Sequence, residues 1–274
     1  GDVTSTMACA ITAQKAHIPV AHVEGGIRSG DWAMPEEINR LVTDSVTDVF
    51  FTTTETADQN LLASGVPAVR IFRVGNTMID TLLAHRLRFT PPPGWPDFGA
   101  RPGGYLVLTL HRPSNVDDPA KLHALLTTID QNSRERPVFF PVHPRTRAKI
   151  DQLQASFSNL HLLDPLPYLE FNWLVEHAEG VVTDSGGITE ETTVLGVPCM
   201  TLRTTTERPE TVTLGTNELL GDDPAVIAPA LERLFEGNWK KGEIPPLWDG
   251  RASERIVSHL AKGFEDGTLA NRNR

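Results

Sequence analysis

Cysteine is scarce in this chain: its 274 residues hold two, Cys9 and Cys199. Two isolated thiols make no disulfide framework. Each sits in an apolar stretch of sequence, which predicts reduced cysteines in a cytoplasmic protein. No apolar run approaches the ~20 residues that cross a bilayer, so no membrane span is expected. No secretory leader is visible either. Positive charge is also short, with 25 Lys and Arg against 35 Asp and Glu and a formal net charge of −10. That excludes the electrostatic footprint of a nucleic-acid binder, and an anionic ligand would need a local positive site. No His/Cys group has metal-ligand spacing, and there are no repeats or low-complexity segments.

What is present is an alternation of short apolar runs and helical patterns. The length suggests two domains at ~150 residues each. Helices are expected over residues 4–16, 35–50, 57–64 and 77–85, with strands over 20–24, 50–53 and 69–74. In the second helix Ile38, Leu41, Val42, Val46 and Val49 recur at helical spacing, which reads as its inward face. Residues 88–104 hold too much Pro and Gly for an element and read as a linker. Strands then follow over 105–110, 138–142, 161–163, 180–183 and 198–202. Helices between them are expected at 119–132, 145–155, 168–177 and 187–195. A loop is expected over 203–222, helices over 224–235 and 250–263, and a polar tail after them. Strands separated by helices imply βαβ units with parallel sheets. The predicted fold is α/β, two Rossmann-like doubly wound domains, the first incomplete. Its divisions are 1–87 (first domain), 88–104 (linker), 105–248 (second domain) and 249–274 (a helix packing back on the first domain, with the tail). The chain opens on Gly1-Asp2 and enters a helix where a leading strand is expected, so an N-terminal portion is expected to precede it.

In such folds ligands bind beyond the carboxyl ends of the strands. The run Thr183-Asp184-Ser185-Gly186-Gly187 is a strand end, a small-residue turn and a helix start. Its glycines admit close backbone approach, and a helix N-terminus favours phosphate. Glu190 reads as a charge balancing the helix dipole, and Glu191 as an acceptor for ribose hydroxyls. Arg203 and Arg208 follow the next strand and could close over a diphosphate. His111 and Arg112 end the strand 105–110, and His143 ends the strand 138–142. Three acidic groups stand out in the first domain. Asp2 opens a helix and could be its cap. Glu36 has Arg40 one turn on, which reads as a surface pair. Glu24 sits at a strand end between Val23 and Gly25-Gly26, an unusual place for a merely solvated carboxylate.

The segments HVEGGIRSGDWAMPEEINR, RIFRVGNTMIDTL, TLHRPSNVD, PVHPRTR, DPLPYLEF, TDSGGITEE and RTTTERPETVTLGTN together resemble the non-hydrolysing UDP-N-acetylglucosamine 2-epimerases. The resemblance runs from Gly1 to about Phe264. The chain opens inside the family's GDTxST motif, so about the first quarter of the family's length is expected upstream, by typical domain size. The resemblance implies a glycosyltransferase-B-like fold, a homodimer, no cofactor and a role in cell-envelope polysaccharide synthesis. It also implies UDP held by the second domain, with sugar chemistry in a cleft that closes about the linker. Carried over by motif, Asp2, Glu24 and Glu36 match the acid/base carboxylates, and His111 the histidine near the diphosphate. Ser185, Gly186 and Gly187 match the diphosphate cradle, and Glu191 the ribose contact. Phe171 matches a uracil contact through its backbone, and Arg208 a position near the nucleotide. Where many members read HRREN this chain has His111-Arg112-Pro113-Ser114-Asn115, which puts activation by bound substrate in doubt. Thr189 replaces a glutamine.

The implied reaction is elimination of UDP to a glycal and its re-addition, because the C2 proton is not acidic enough for simple removal. It needs preorganised donors for the departing diphosphate and acid/base groups on two faces of the sugar. The sequence leaves the individual base unassigned. Competing readings are a hydrolysing epimerase, a glycosyltransferase of the same fold and a non-catalytic nucleotide-sugar binding protein.

Overall fold

The computed structural model describes residues 2–267; Gly1 and the polar tail from residue 268 lie outside them. In chain order the elements begin α1 (Thr4–Lys15), β1 (Ala21–Val23), α2 (Pro35–Ser45), β2 (Val49–Thr52), α3 (Glu55–Ala63), β3 (Ile71–Arg73) and α4 (Thr77–His85). They continue with β4 (Leu106–Thr109), α5 (Pro113–Val116), α6 (Pro119–Asn132), β5 (Val138–Pro141), α7 (Pro144–Gln152), β6 (Leu160–Leu163) and α8 (Tyr168–Glu176). The last are β7 (Gly180–Thr183), α9 (Gly186–Leu195), β8 (Cys199–Thr201), α10 (Pro209–Thr213), β9 (Asn217–Leu219), α11 (Ile227–Phe235) and α12 (Ala252–Glu265). The α/β class expected from the sequence is the observed one. No helix among the described residues is long and apolar enough to cross a membrane.

Contacts divide the described chain into two compact units. One holds the chain through Ala84, Glu207–Glu210 and the chain from Pro245, while the other holds His85–Thr206 and Thr211–Ile244. The first unit has a parallel sheet in the order β1-β2-β3. All four residues of β2 are buried, as expected of a central parallel strand covered on both faces. Its C-terminal segment is tied down by named bonds. The buried Trp248 donates from its indole to the Thr53 carbonyl at 3.2 Å. Asp80 of α4 accepts from the backbone N–H of Ala252 and Ser253, at 3.0 and 2.6 Å, and so satisfies two orphan donors at the start of α12.

The second unit is a six-stranded parallel sheet in the order β6-β5-β4-β7-β8-β9. The chain moves outward from β4 to β6 and then returns to lay β7 beside β4. That reversal is the topological switch point where doubly wound sheets bind ligands. Alternation along β4 sends Leu106 and Leu108 into one core with Val138, Phe140 and Val182, and Val107 into another with Phe139, Val181 and Leu174. Gly180 opens β7 because a Cβ there would lie 2.7 Å from Leu234 Cδ2.

Several local expectations need correction. The second helix ends at Ser45, and Val49 and Phe50 belong to β2. The loop expected over 203–222 contains α10 and the edge strand β9, and α5 was not foreseen. The Pro- and Gly-rich stretch includes a 3-10 turn at Trp95–Phe98. The Trp95 ring centroid lies 5.1 Å from that of Tyr105 and 4.8 Å from that of Trp173, so aromatic packing fixes what backbone propensity does not. Cys9 is exposed rather than apolar-packed. Cys199 is buried, and burial pushes its thiol up to about 12, which makes it an inert core residue.

Candidate active site

In the first unit the acidic residues are organised by α2, and not by the face the sequence suggested. Ile38 is 43% exposed, whereas Glu37, Asn39, Arg40, Thr43 and Asp44 are buried. Glu37, Arg40 and Asp44 recur at i, i+3 and i+7, so one stripe of the helix turns charged groups inward.

Each member of that stripe has a defined task. Glu37 accepts from the backbone N–H of Ser29 at 2.9 Å and of Gly30 at 3.1 Å, from the Ser29 hydroxyl at 3.1 Å, and from Arg40 Nη1 at 2.8 Å. Burial works to raise the Glu37 pKa, but these donors outweigh it and hold the carboxyl below the ordinary carboxylate range. Arg40 reaches across to Asp2 Oδ2 with Nε at 3.1 Å and Nη2 at 2.6 Å. Asn39 Nδ2 donates to the Asp2 carbonyl at 2.9 Å. The expected surface pair of Glu36 with Arg40 is thereby overturned, since the guanidinium goes inward to Asp2 and Glu37. Nor does Asp2 cap α1, whose N-cap is Val3.

Glu24 follows β1 directly. Its φ is +68°, the left-handed region that an L-residue with a side chain enters only under constraint. Its N–H and that of Gly25 both donate to the Phe51 carbonyl, at 2.9 and 3.3 Å. Gly26, at φ +80°, presses the turn onto α3, where a Cβ would fall 2.4 Å from the Ala57 carbonyl oxygen. The Glu24 carboxylate lies 3.6 Å from Arg208 Nη2. Arg208, expected near a diphosphate, is thus found beside Glu24, in the same unit.

The second unit places His111 and the glycine turn on neighbouring strands at the switch point. Thr109 and Thr183 pair in register, their hydroxyls 2.6 Å apart. Just beyond them Asp184, fully buried, gathers four donors. These are the N–H of His111, the N–H of Arg112 at 2.9 Å, Asn115 Nδ2 at 3.2 Å and His111 Nδ1 at 2.8 Å. Burial favours the neutral acid, yet His111, the Arg112 N–H and Asn115 together hold its pKa below the usual value. In the sequence Asp184 reads only as part of a turn. Its role as the group that orients His111 becomes visible once β4 and β7 are neighbours. Asn115 also donates to the Leu202 carbonyl at 3.0 Å, which ties α5 to the end of β8.

Ser185 is the N-cap of α9, and Gly186 and Gly187 form its first turn. The Ser185 hydroxyl makes no capping bond. No acidic residue lies in that first turn, and both Glu190 and Glu191 are buried, so Glu190 stands beyond the turn in which a charge balances the helix dipole. Thr189 donates to the Gly186 carbonyl at 2.6 Å. Glu191 accepts from the Tyr168 hydroxyl at 3.1 Å. Burial raises its pKa, and Tyr168 and Asn172 offset part of that. Phe171 shares α8 with Tyr168, and its N–H donates to the Pro167 carbonyl at 2.9 Å within the helix. His143 is exposed and caps α7, its Nδ1 accepting from the Arg145 N–H at 3.3 Å. Arg203 is buried at the end of β8.

Residues 1–261 match the model of the family described as UDP-N-acetylglucosamine 2-epimerase. The chain belongs to the UDP-N-acetylglucosamine 2-epimerase family. It is similar to the UDP-N-acetylglucosamine 2-epimerase of Methanocaldococcus jannaschii, with 39% identity over 96% of this chain and 74% of the relative. At the same 39% identity, over 96% of this chain and 73% of the relative, it is similar to the UDP-2,3-diacetamido-2,3-dideoxy-D-glucuronate 2-epimerase of Pseudomonas aeruginosa. The crystal structure of the M. jannaschii enzyme in complex with UDP-GlcNAc and UDP matches at a TM-score of 0.83, covering 96% of this chain and 74% of that one. Members of the family so named are isomerases, and glycosyltransferase-B-like α/β architecture accompanies them.

Proposed function

We propose that this chain, a cytoplasmic homodimer, interconverts UDP-N-acetylglucosamine and UDP-N-acetylmannosamine. A carboxylate of the first unit removes the C2 proton while the bond from C1 to the diphosphate oxygen breaks. The electron pair leaves with UDP, and C1 and C2 become doubly bonded. The diphosphate oxygen then re-forms its bond to C1 as a carboxylic acid returns a proton to the other face of C2. Atoms and charge balance without an added reactant. The departing UDP is held by the second unit, where His111, Arg112 and the first turn of α9 supply donors for developing charge. Glu191 takes the ribose and Phe171 the uracil.

The observation that carries this reading is the polar stripe of α2. One helix bears Glu36 and holds Asp2 through Arg40, and its Asp44 accepts from the Gly26 N–H two residues past Glu24. Proton removal and return on two faces require at least two acid/base groups, and the three carboxylates gathered around one helix exceed that number. The named relatives are epimerases, which favours this chemistry over hydrolysis, sugar transfer or binding without turnover. Incubation with UDP-N-acetylglucosamine, followed by NMR, tests it. UDP-N-acetylmannosamine with deuterium at C2 in D2O is expected. Free sugar or dependence on an acceptor would refute it, and a fully active Glu24→Gln variant would remove Glu24 from the acid/base set.

The equal similarity to the P. aeruginosa enzyme supports a second reading, in which the sugar is a UDP-2,3-diacetamido-glucuronate. The elimination is identical, since both sugars carry a 2-acetamido group and a UDP leaving group. Competition between the two substrates in one reaction decides which has the higher kcat/KM.

A further inference from the structure

Asp44 is a buried carboxylate on α2 that the proposed chemistry does not use. Its two oxygens hold three separate points of the chain. Oδ1 lies 2.6 Å from His22 Nδ1, in β1. Oδ2 accepts from the Gly26 N–H at 3.1 Å and pairs with Arg28 Nη1 at 2.7 Å. His22 and Asp44 are both buried. His22 and Gly26 stand two residues before and two residues after Glu24, so one carboxylate grips the chain on both sides of it.

The turn between those grips has a conformation that must be enforced. Glu24 is in the left-handed region, which a residue with a side chain keeps only where its surroundings impose it. Gly25 lies against Phe50 and Asp44, where a Cβ would meet Phe50 Cδ1 at 2.9 Å. Without Asp44 the Glu24 and Gly25 N–H bonds to Phe51 remain, as does the Asn60 amide on the Gly26 carbonyl, but the Gly26 N–H and the Arg28 guanidinium lose the carboxylate they share.

We propose that Asp44 is the positioning residue for Glu24: its clamp on His22, Gly26 and Arg28 holds the left-handed turn that aims the Glu24 carboxylate at the sugar. The proposal rests on the epimerase reading above. Asp44 touches no reacting atom and acts only through the turn.

Asp44→Asn tests it in the full protein, after wild-type turnover has established the reaction. One amide nitrogen would replace an oxygen that now faces only donors, so the clamp opens on one side. Turnover is expected to fall about 100-fold, as for a misplaced catalytic group, with KM and the affinity for UDP alone unchanged. Amide hydrogen exchange at Gly26 is expected to accelerate, a readout independent of activity. Combined with Glu24→Gln, the Asp44→Asn substitution is expected to add almost nothing, because both act through one group. A multiplicative loss in the double variant, or unchanged turnover in the single one, would overturn the proposal.

His22 provides a milder probe should Asp44→Asn fail to fold. His22→Asn places an amide N–H near the position of Nδ1 and is expected to retain turnover. His22→Leu cannot donate and is expected to lose it. Equal activity in the two variants would contradict the proposal.

Discussion

His111 Nδ1 lies 2.8 Å from Asp184 Oδ1 and joins the ends of two adjacent strands, β4 and β7. The carboxylate is fully buried, while the imidazole is 53% exposed. The buried oxygen fixes the proton on Nδ1 and turns Nε2 outward, as an acidic partner commonly does for a working histidine. Asp184→Asn is therefore expected to lower turnover about 100-fold, the lower range for an acid/base group. The asparagine amide must also face the N–H groups that Asp184 now accepts, so stability should fall by about 2 kcal/mol. Kinetics and urea unfolding on the same variant check both. Wild-type turnover in that variant would show that His111 needs no orienting partner.

Glu37 gives the acid dependence of stability a testable sign. Its folded pKa lies below the ordinary value, because its four donors outweigh burial. A depressed pKa means that the stabilisation is present above the unfolded value of ~4.3. It is lost as the pH falls through the lower, folded value. The difference in unfolding free energy between wild type and Glu37→Gln should be largest at neutral pH and shrink in acid. Denaturant titrations across that range measure it. A difference that stays constant with pH would mean that packing, not charge, accounts for the loss.

Arg40 sits between Asp2 and Glu37, and its two substitutions should behave differently. Arg40→Met leaves Glu37 buried without its cation, a loss of about 3–5 kcal/mol for a broken buried pair. Arg40→Lys keeps the charge, but a single ammonium cannot span both carboxylates as the planar guanidinium does. The lysine variant should fold, bind UDP normally and turn over slowly, because Asp2 is released. Recovery of full turnover in Arg40→Lys would show that Asp2 needs no anchoring.

The polar stripe of α2 also marks where the sequence stopped being legible. The strand that ends before His111 and the strand-turn-helix unit at Thr183–Gly187 follow from apolar runs ended by polar or small residues, and they are where expected. The orientation of α2 departs from the sequence pattern because Ile38, Leu41 and Val42 match a helical period and buried faces are usually apolar. The competing pattern was present, as Glu37, Arg40 and Asp44 keep the same period. A charged stripe at i, i+3 and i+7 on a helix between two strands can signal an internal ion network, but each residue alone reads as solvated. The Arg40 partner differs for the same reason: i+4 proximity predicts Glu36, while the rotation of the helix selects Glu37 and Asp2. Asp184 escaped because its partners lie some 70 positions away in sequence, His111 and Asn115 among them. Only strand order brings them together.

Glu191 is the residue at which stability and binding should respond in opposite directions. It is buried, its pKa is raised by burial, and the Tyr168 hydroxyl donates to it at 3.1 Å. A raised carboxyl pKa means that the folded state favours the neutral acid. That stabilisation is complete below the unfolded pKa and is lost as the pH rises through the folded one. Glu191→Gln keeps the shape and an acceptor for Tyr168 without the buried charge. It should therefore be at least as stable as wild type at pH 8, the gap closing as the pH falls and Glu191 takes up its proton. Binding runs the other way. An ionised carboxylate accepting two ribose hydroxyls loses charge-assisted bonds on amidation, which weakens UDP binding by about tenfold. Wild-type affinity for UDP should decline as the pH drops through the Glu191 titration, and the variant's affinity should not follow. Calorimetric UDP titrations of both proteins at several pH values decide the point. Parallel pH profiles for the two would place the ribose elsewhere and leave Glu191 as a buried structural acid.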